Sequence, residues 1–345
     1  MTLVATVTGD VDAADLGLVL PHEHLGNDIS AAFRPSADPR VAALLDGPVR
    51  ADLAWVLTDH PYESLDNCRL DDDAAVAADL AGFAAAGGRT IVDLTPPGLG
   101  RDPERLRRLS EASGVQVVMG SGWYLEATHP AGLATASVDL LAEQLVAEFD
   151  AAREIRPGVI GEIGVSPAFT EAEHRALRAA CRAQREVRVP LFVHLPGWQR
   201  RAFEVLDVVL GSEGVDPAAV VLCHMDPSGD DPGYQRAVAE RGVHLEFDMI
   251  GMPFDFPGEG RSPAPHETAA AIVALVEAGH ADRLLLSHDL FLKAMLTRHG
   301  GNGLAYVPLA FADRLRRAGL DPALVTSLMT DNPRALFEGA APEGP

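Results

Sequence analysis

Short apolar runs alternate along the chain with longer stretches in which apolar residues recur at helical spacing. Eight runs read as interior strands: 17–21, 90–95, 115–120, 158–163, 189–194, 219–224, 243–248 and 283–288. Most place Val, Ile or Leu at successive positions, as expected of strands buried on both faces of a parallel sheet. Between them the pattern turns to amphipathic helix at 73–86, 103–113, 138–155, 171–186, 202–211, 233–241, 266–278 and 307–318. In the first helix Val76, Leu80 and Phe83 recur on one face, and Asp73 and Asp79 are free to face solvent. Gly87-Gly88 and Gly242 stand where helices give way to strands, which is C-cap chemistry. Eight strand–helix units predict an α/β fold, a closed (β/α)8 TIM barrel, with residues 1–345 as a single domain. An open doubly wound sheet is the alternative, but no GxGxxG opens a helix after the first strand. Segment 28–72, with Trp55, Pro61, Tyr62 and Leu65, is too long for a simple connection and is expected to cap the barrel.

Composition narrows the function class. The 47% hydrophobic content over 345 residues suffices for a large core. A net charge of −22 repels phosphate backbones, so nucleic acid is not an expected partner. No apolar run approaches the roughly 20 residues of a membrane span, and the N-terminus lacks the features of a signal peptide. A cytoplasmic protein is the expectation. Cys68, Cys181 and Cys223 are widely spaced and read as free buried thiols.

The chemistry gathers at the predicted strand ends, where barrels of this kind carry their functional residues. His22 and His24 follow the first strand, Glu162 lies on the fourth, His194 closes the fifth, His224 the sixth, and Asp289 follows the eighth. In extended chain, residues two apart share a side, so His22 and His24 can grip one metal while Glu23 turns away. A pair of histidines near a turn is the plainer reading, as is a core role for His194 or His224, or an N-cap for Asp289. The coincidence of all these residues at strand ends favours ligation. Glu162 ends a buried strand, a costly place for a carboxylate unless a cation neutralises it. A buried arginine partner would also serve. Four histidines and two carboxylates exceed the needs of one zinc ion and suit two divalent ions. Zinc is the first choice; manganese, cobalt and iron accept the same donors. Asp248, within Glu246-Phe-Asp248, sits at a height to touch the pocket, and His288 neighbours Asp289.

These residues lie in motifs that resemble the phosphotriesterase-related branch of the phosphotriesterase family, in the amidohydrolase superfamily. The likeness rests on Pro21-His-Glu-His-Leu25, Gly88-Arg-Thr-Ile-Val-Asp-Leu-Thr95, Gly98-Leu-Gly-Arg-Asp102 and Gly122-Trp-Tyr124. Ala127-Thr-His-Pro130, Ser287-His-Asp289, Lys293 with Gly300-Gly-Asn-Gly303, and Pro61-Tyr62 with Asn67 extend it. The resemblance implies that His22, His24 and Asp289 hold the more buried ion and His194 and His224 the more exposed one. Glu162 stands where the founding phosphotriesterases use a carboxylated lysine. It implies a hydrolase in which hydroxide bridging the ions cleaves a lactone, carboxylic ester or N-acyl amide, with Asp289 as proton acceptor. The resemblance places Tyr124 beside the hydroxide or substrate; the residue pattern alone allows a rim aromatic equally. A homodimer acting on a small molecule is also implied. Phosphotriester hydrolysis, a single-metal enzyme and a catalytically silent binding protein are the alternatives. Trp123, the capping segment and the loop 291–305 are expected to shape the pocket. Lys293 and Arg298 are expected either to meet an anionic substrate group or to sit as solvated surface charge.

Overall fold

All eight apolar runs become strands, and two short hairpins join them. In chain order the computed structural model, which describes residues 1–341, contains β1 (Leu3–Thr6), β2 (Gly9–Asp12), β3 (Leu18–Glu23), β4 (Gly88–Asp93), β5 (Gln116–Ser121) and β6 (Val159–Gly164). Then follow β7 (Leu191–His194), β8 (Val220–Leu222), β9 (His244–Phe247), β10 (Asp255–Phe256), β11 (Gly260–Arg261) and β12 (Leu284–Leu286). β3 through β9, without a break, and then β12 pair in parallel as one sheet wound into a (β/α)8 barrel.

Side-chain chemistry completes the ring at the β12–β3 seam, where the described residues form no ladder. The Ser287 hydroxyl oxygen accepts from His22 N at 3.0 Å, and its hydrogen faces His22 O at 2.9 Å and Glu23 Oε1 at 2.8 Å. Asp289 N donates to His22 O at 3.1 Å. The residues that close the barrel therefore adjoin those that carry its chemistry.

Alternate strand positions divide between two apolar layers. Leu20, Ile91, Val117, Leu191, Leu222 and Leu245 join helix residues such as Leu80, Phe83, Leu106, Leu177 and Ile272. Val19, Val92, Val118, Phe192, Val221 and Leu285 form a separate cluster with Val4, Ala13 and Leu16, near the N-terminal hairpin. Leu336 and Phe337 of the C-terminal helix Asp331–Ala340 join that cluster. The hairpin strands are too short to repeat their pattern, and this last helix lies outside the eight predicted from periodicity.

Two local expectations need correction. The helix foreseen over 138–155 ends at Val146 and continues only as the tight turn Ala147–Phe149. Arg153 Nε takes the Ala147 carbonyl at 2.9 Å, an acceptor that a longer helix would need. Asp79 does not face solvent; it is 4% exposed and accepts hydrogen bonds from the backbone N–H and hydroxyl of Thr297.

His244, at the start of β9, gives the fold a pH dependence. Burial, reinforced by the Arg283 charge, pushes its pKa down to about 3. The unfolded chain binds this proton near pH 6.5 and the folded chain does not. The stability present above pH 6.5 therefore falls as pH drops towards 3, by up to about 1.4 kcal/mol per pH unit. Thermal melts between pH 6.5 and 5 should show a shallower fall in His244→Leu than in the wild type. Equal slopes would exclude this origin.

Candidate metal centre

The six residues singled out at strand ends converge at the C-terminal mouth of the barrel. β3 supplies His22, β6 Glu162 and β7 His194; His24 lies just beyond β3, His224 just beyond β8 and Asp289 just beyond β12. Glu162 is central. Its Oε2 lies 3.0 Å from His194 Nδ1, 3.6 Å from His224 Nε2 and 3.8 Å from His22 Nε2. Its Oε1 lies 3.6 Å from His24 Nε2. Asp289 Oδ1 stands 3.2 Å from His24 Nε2 and 3.7 Å from His22 Nε2.

Two observations show that this donor set fits divalent ions. His22 Nε2 is buried without a hydrogen-bond partner, although the atoms around it are His24, Glu162, His224 and Asp289 donors. His194 Nδ1 and His224 Nε2 approach to 2.7 Å beside the same carboxylate oxygen. Imidazole nitrogens and carboxylates sharing one buried space are the chemistry of a metal site.

A layer of acids behind the histidines aims them. His22 Nδ1 meets Glu246 Oε2 at 2.9 Å and Asp248 Oδ2 at 3.1 Å, and His224 Nδ1 meets Asp248 Oδ1 at 2.8 Å. One carboxylate thus orients a histidine from each half of the site. Asp226 Oδ2 in turn accepts from the backbone N–H groups of Asp248 and Met249. Burial opposes ionisation of Asp248, but His224 and His22 outweigh it and hold the carboxyl well below its usual range. Burial also opposes ionisation of Glu162, and hydrogen bonds from His194 and His224 overcome it. Asp248 was expected to touch the pocket. It lies behind the histidines instead, and the i, i+2 spacing of Glu246 and Asp248, the same signal as in His22 and His24, points to that paired role.

Glu23 is turned away, as expected, and has a task of its own. Its carboxylate accepts from His288 N and Leu290 N at 2.9 Å each, and lies 2.7 Å from His288 Nδ1. These bonds clamp the backbone on both sides of Asp289. His288 reaches Glu23 and the Val307 N–H, so it holds this loop and no donor of the site. His224 and Asp289 both adopt left-handed backbone, with φ of 59° and 49°. Such conformations persist in non-glycine residues only where surrounding bonds enforce them. Here the enforcing bonds are His224 N to Asp248 Oδ2 at 2.9 Å and Asp289 N to the His22 carbonyl.

Tyr124 stands against His194. Its hydroxyl is 3.4 Å from His194 Nε2 and the rings meet edge-on, with centroids 4.7 Å apart. His129 Nε2 lies 2.7 Å from the Tyr124 carbonyl oxygen and steadies the same loop. Gly164 makes the close approach feasible, since a Cβ there would lie 2.3 Å from the Tyr124 carbonyl carbon. Gly164→Ala should therefore displace Tyr124 and cost about 1–3 kcal/mol of stability in urea denaturation. An unchanged midpoint and an unchanged kcat would show that the loop yields freely.

A cavity of about 290 Å³ opens above the site and is lined by His24, Glu162, His194, His224, Asp289 and Tyr124. Its remaining wall is mainly apolar: Ile29, Ala32 and Tyr62 from the capping segment, Leu195 and Trp198 after β7, and Met249, Met252 and Phe256 after β9. The loop after β12 contributes only Phe291 beyond Asp289. Trp123 does not line the cavity; it packs against Leu133, Leu141 and Ala176. Trp198 and the β10–β11 hairpin take the part expected of Trp123 and 291–305. Lys293 meets neither expectation, since its buried amine pairs with Asp66 at 2.6 Å and Asp71 at 2.7 Å and ties the capping segment down. Arg298 is a surface charge.

Comparisons with known proteins agree with this geometry. The model of the phosphotriesterase family matches residues 2–337. The N-acetyltaurine hydrolase of Tetraodon nigroviridis is 31% identical over 340 residues, covering 96% of each chain. Among solved structures, a resiniferatoxin-binding protein from Rhodobacter sphaeroides is 47% identical with a TM-score of 0.94, covering 97% of this chain and 95% of that one. A phosphotriesterase-like lactonase variant from Deinococcus radiodurans is 30% identical with a TM-score of 0.75, covering 97% of this chain and 99% of that one. No helix of the described residues is long and apolar enough to cross a membrane.

Proposed function

The chain belongs to the phosphotriesterase family and is a hydrolase of that family, and from that premise we propose that it cleaves lactones, carboxylic esters or N-acyl amides at a two-ion centre. The observation that carries this reading is the position of Glu162, whose two oxygens face different histidines beside the unpartnered His22 Nε2. His22, His24 and Asp289 would hold one ion, His194 and His224 the other, with Glu162 between them. Zinc is the first candidate, and manganese, cobalt and iron suit the same donors. Bound there, the ions would acidify water and polarise a carbonyl oxygen.

The protein's own groups divide the remaining work. Water oxygen adds to the acyl carbon, and a carboxylate oxygen of Asp289 accepts the proton released. The bond from carbon to the leaving oxygen or nitrogen then breaks. Its electron pair stays on the leaving atom, which takes the proton from Asp289. Tyr124, beside His194, orients the bound carbonyl. Trp198, Phe256 and Met252 shield the reacting groups from bulk water.

The wall of the cavity bears on substrate. Among the described residues no lysine or arginine lines it, and Glu259 stands on its rim. N-acetyltaurine, named in the relatives' activity, ends in a sulfonate that would meet no cation on this wall. Uncharged apolar substrates therefore rank ahead of it, and phosphotriesters rank third. The same reading takes the protein as one domain, cytoplasmic and homodimeric, with a small molecule as its partner. A binding-only role, suggested by the name of the 47% identical relative, is the rival; the full set of six donors favours catalysis.

Metal analysis after dialysis, followed by hydrolysis assays on a panel of neutral lactones, esters and amides, tests the proposal. About two ions per chain are expected, with activity lost on chelation and restored by zinc or manganese. A single ion would point to the one-metal enzyme. Two ions with no hydrolysis across the panel would favour the binding role.

A further inference from the structure

Asn27 lies three residues beyond His24, lines the cavity, and is only 6% exposed. Neither its side-chain nitrogen nor its side-chain oxygen has a hydrogen-bond partner. Because both atoms are orphaned, the finding does not depend on which way round the amide is placed. The main chain on either side is fixed: Leu70 N donates to the Asn27 carbonyl at 3.0 Å, and Asp28 N donates to Leu99 O at 2.8 Å. Arg105 covers Gly26 so closely that a Cβ there would lie 1.9 Å from its guanidinium nitrogen. The side chain is thus held at the cavity wall with one donor group and one acceptor group unused. Leaving buried polar atoms unpaired is costly, and a ligand group that completes these two would relieve that cost.

We propose that Asn27 is a specificity residue that selects N-acyl amides bearing an N–H over esters and lactones. The inference rests on the hydrolase reading above and divides the substrates that reading leaves together. Nδ2 donates, and any carbonyl oxygen satisfies it. Oδ1 only accepts and requires a donor. An ester or lactone offers none at the scissile group, whereas a secondary amide offers its N–H. Sites built around such a bond reject analogues that lack it, because the protein atom is then left unpaired. The reaction selected is amide plus water giving carboxylic acid plus amine: the C–N bond breaks, and the nitrogen keeps the electron pair and gains a proton.

Three substrates with one acyl group test this: a 4-nitroanilide, its N-methyl derivative, which lacks the N–H, and the 4-nitrophenyl ester. Metal-loaded wild type and Asn27→Leu are compared, and the readout is the ratio of kcat/KM values within each protein. The secondary anilide's advantage over its N-methyl derivative should fall roughly 10- to 100-fold in Asn27→Leu. Its kcat/KM relative to the ester should fall by a similar factor. Asn27→Asp, which keeps an acceptor oxygen, should retain most of the preference. Ratios unchanged in Asn27→Leu would overturn the assignment, since a merely structural role would lower all three rates together. If none of the three is hydrolysed, the hydrolase reading fails on these compounds. The same ratio is then read from calorimetric dissociation constants of the two anilides on loaded protein. A preference for the secondary anilide that Asn27→Leu abolishes supports the assignment, and equal binding overturns it.

Discussion

Asp289→Asn is expected to lower kcat on a neutral ester or amide by about 10²- to 10⁴-fold, the range supplied by a positioned proton acceptor. Asparagine keeps the shape of the side chain but cannot take the proton released when water adds to the acyl carbon. Structural loss should be small. Asp289 sits in left-handed backbone, φ 49°, a conformation asparagine tolerates well. The Glu23 bonds to His288 N and Leu290 N that frame it do not involve its side chain. Because Asp289 also faces His22 and His24, kcat should be measured at saturating metal, with metal content determined in parallel. A fully loaded variant that keeps more than a tenth of wild-type kcat would remove Asp289 from the proton-transfer role.

Glu162→Gln should act on the centre itself. The glutamate faces His24 through Oε1 and His194 and His224 through Oε2. Glutamine preserves volume and removes the negative charge that would offset two bound ions. Metal content should fall from about two per chain to one or none. Hydrolysis should fall by at least about 10³-fold, since water activation and carbonyl polarisation are lost together. The variant should still fold, because the strands around it are held by apolar contacts such as Ile160, Ile163 and Leu191 rather than by this side chain. Two ions per chain in Glu162→Gln would mean that the carboxylate does not bridge them.

These variants could be chosen from sequence because the relevant pattern is local. Apolar runs of the right length mark strands, and a polar residue at the end of such a run stands out against its buried neighbours. His22, His24, Glu162, His194, His224 and Asp289 were therefore visible one strand at a time, and the regular strand–helix alternation implied the ring that gathers them. The clamp formed by Asp248 was half visible, in the i, i+2 spacing with Glu246.

What sequence alone determined about this protein is thus the barrel, its strand order and the identity of the converging donors, because periodicity and residue type are properties of short segments. Only the tertiary structure decided how those donors are aimed and what surrounds them. Asp248 reaches His22 and His224 across 226 and 24 residues of chain, and no local pattern encodes such a contact. The left-handed turns at His224 and Asp289 are imposed by bonds from elsewhere in the chain rather than by the residues themselves. The replacement of Trp123 by Trp198 in the cavity wall, the capture of Lys293 by Asp66 and Asp71, and the two unused polar atoms of Asn27 follow from how long loops pack on one another. That packing is set by the sum of many weak contacts, and it has no repeat for a sequence reading to detect.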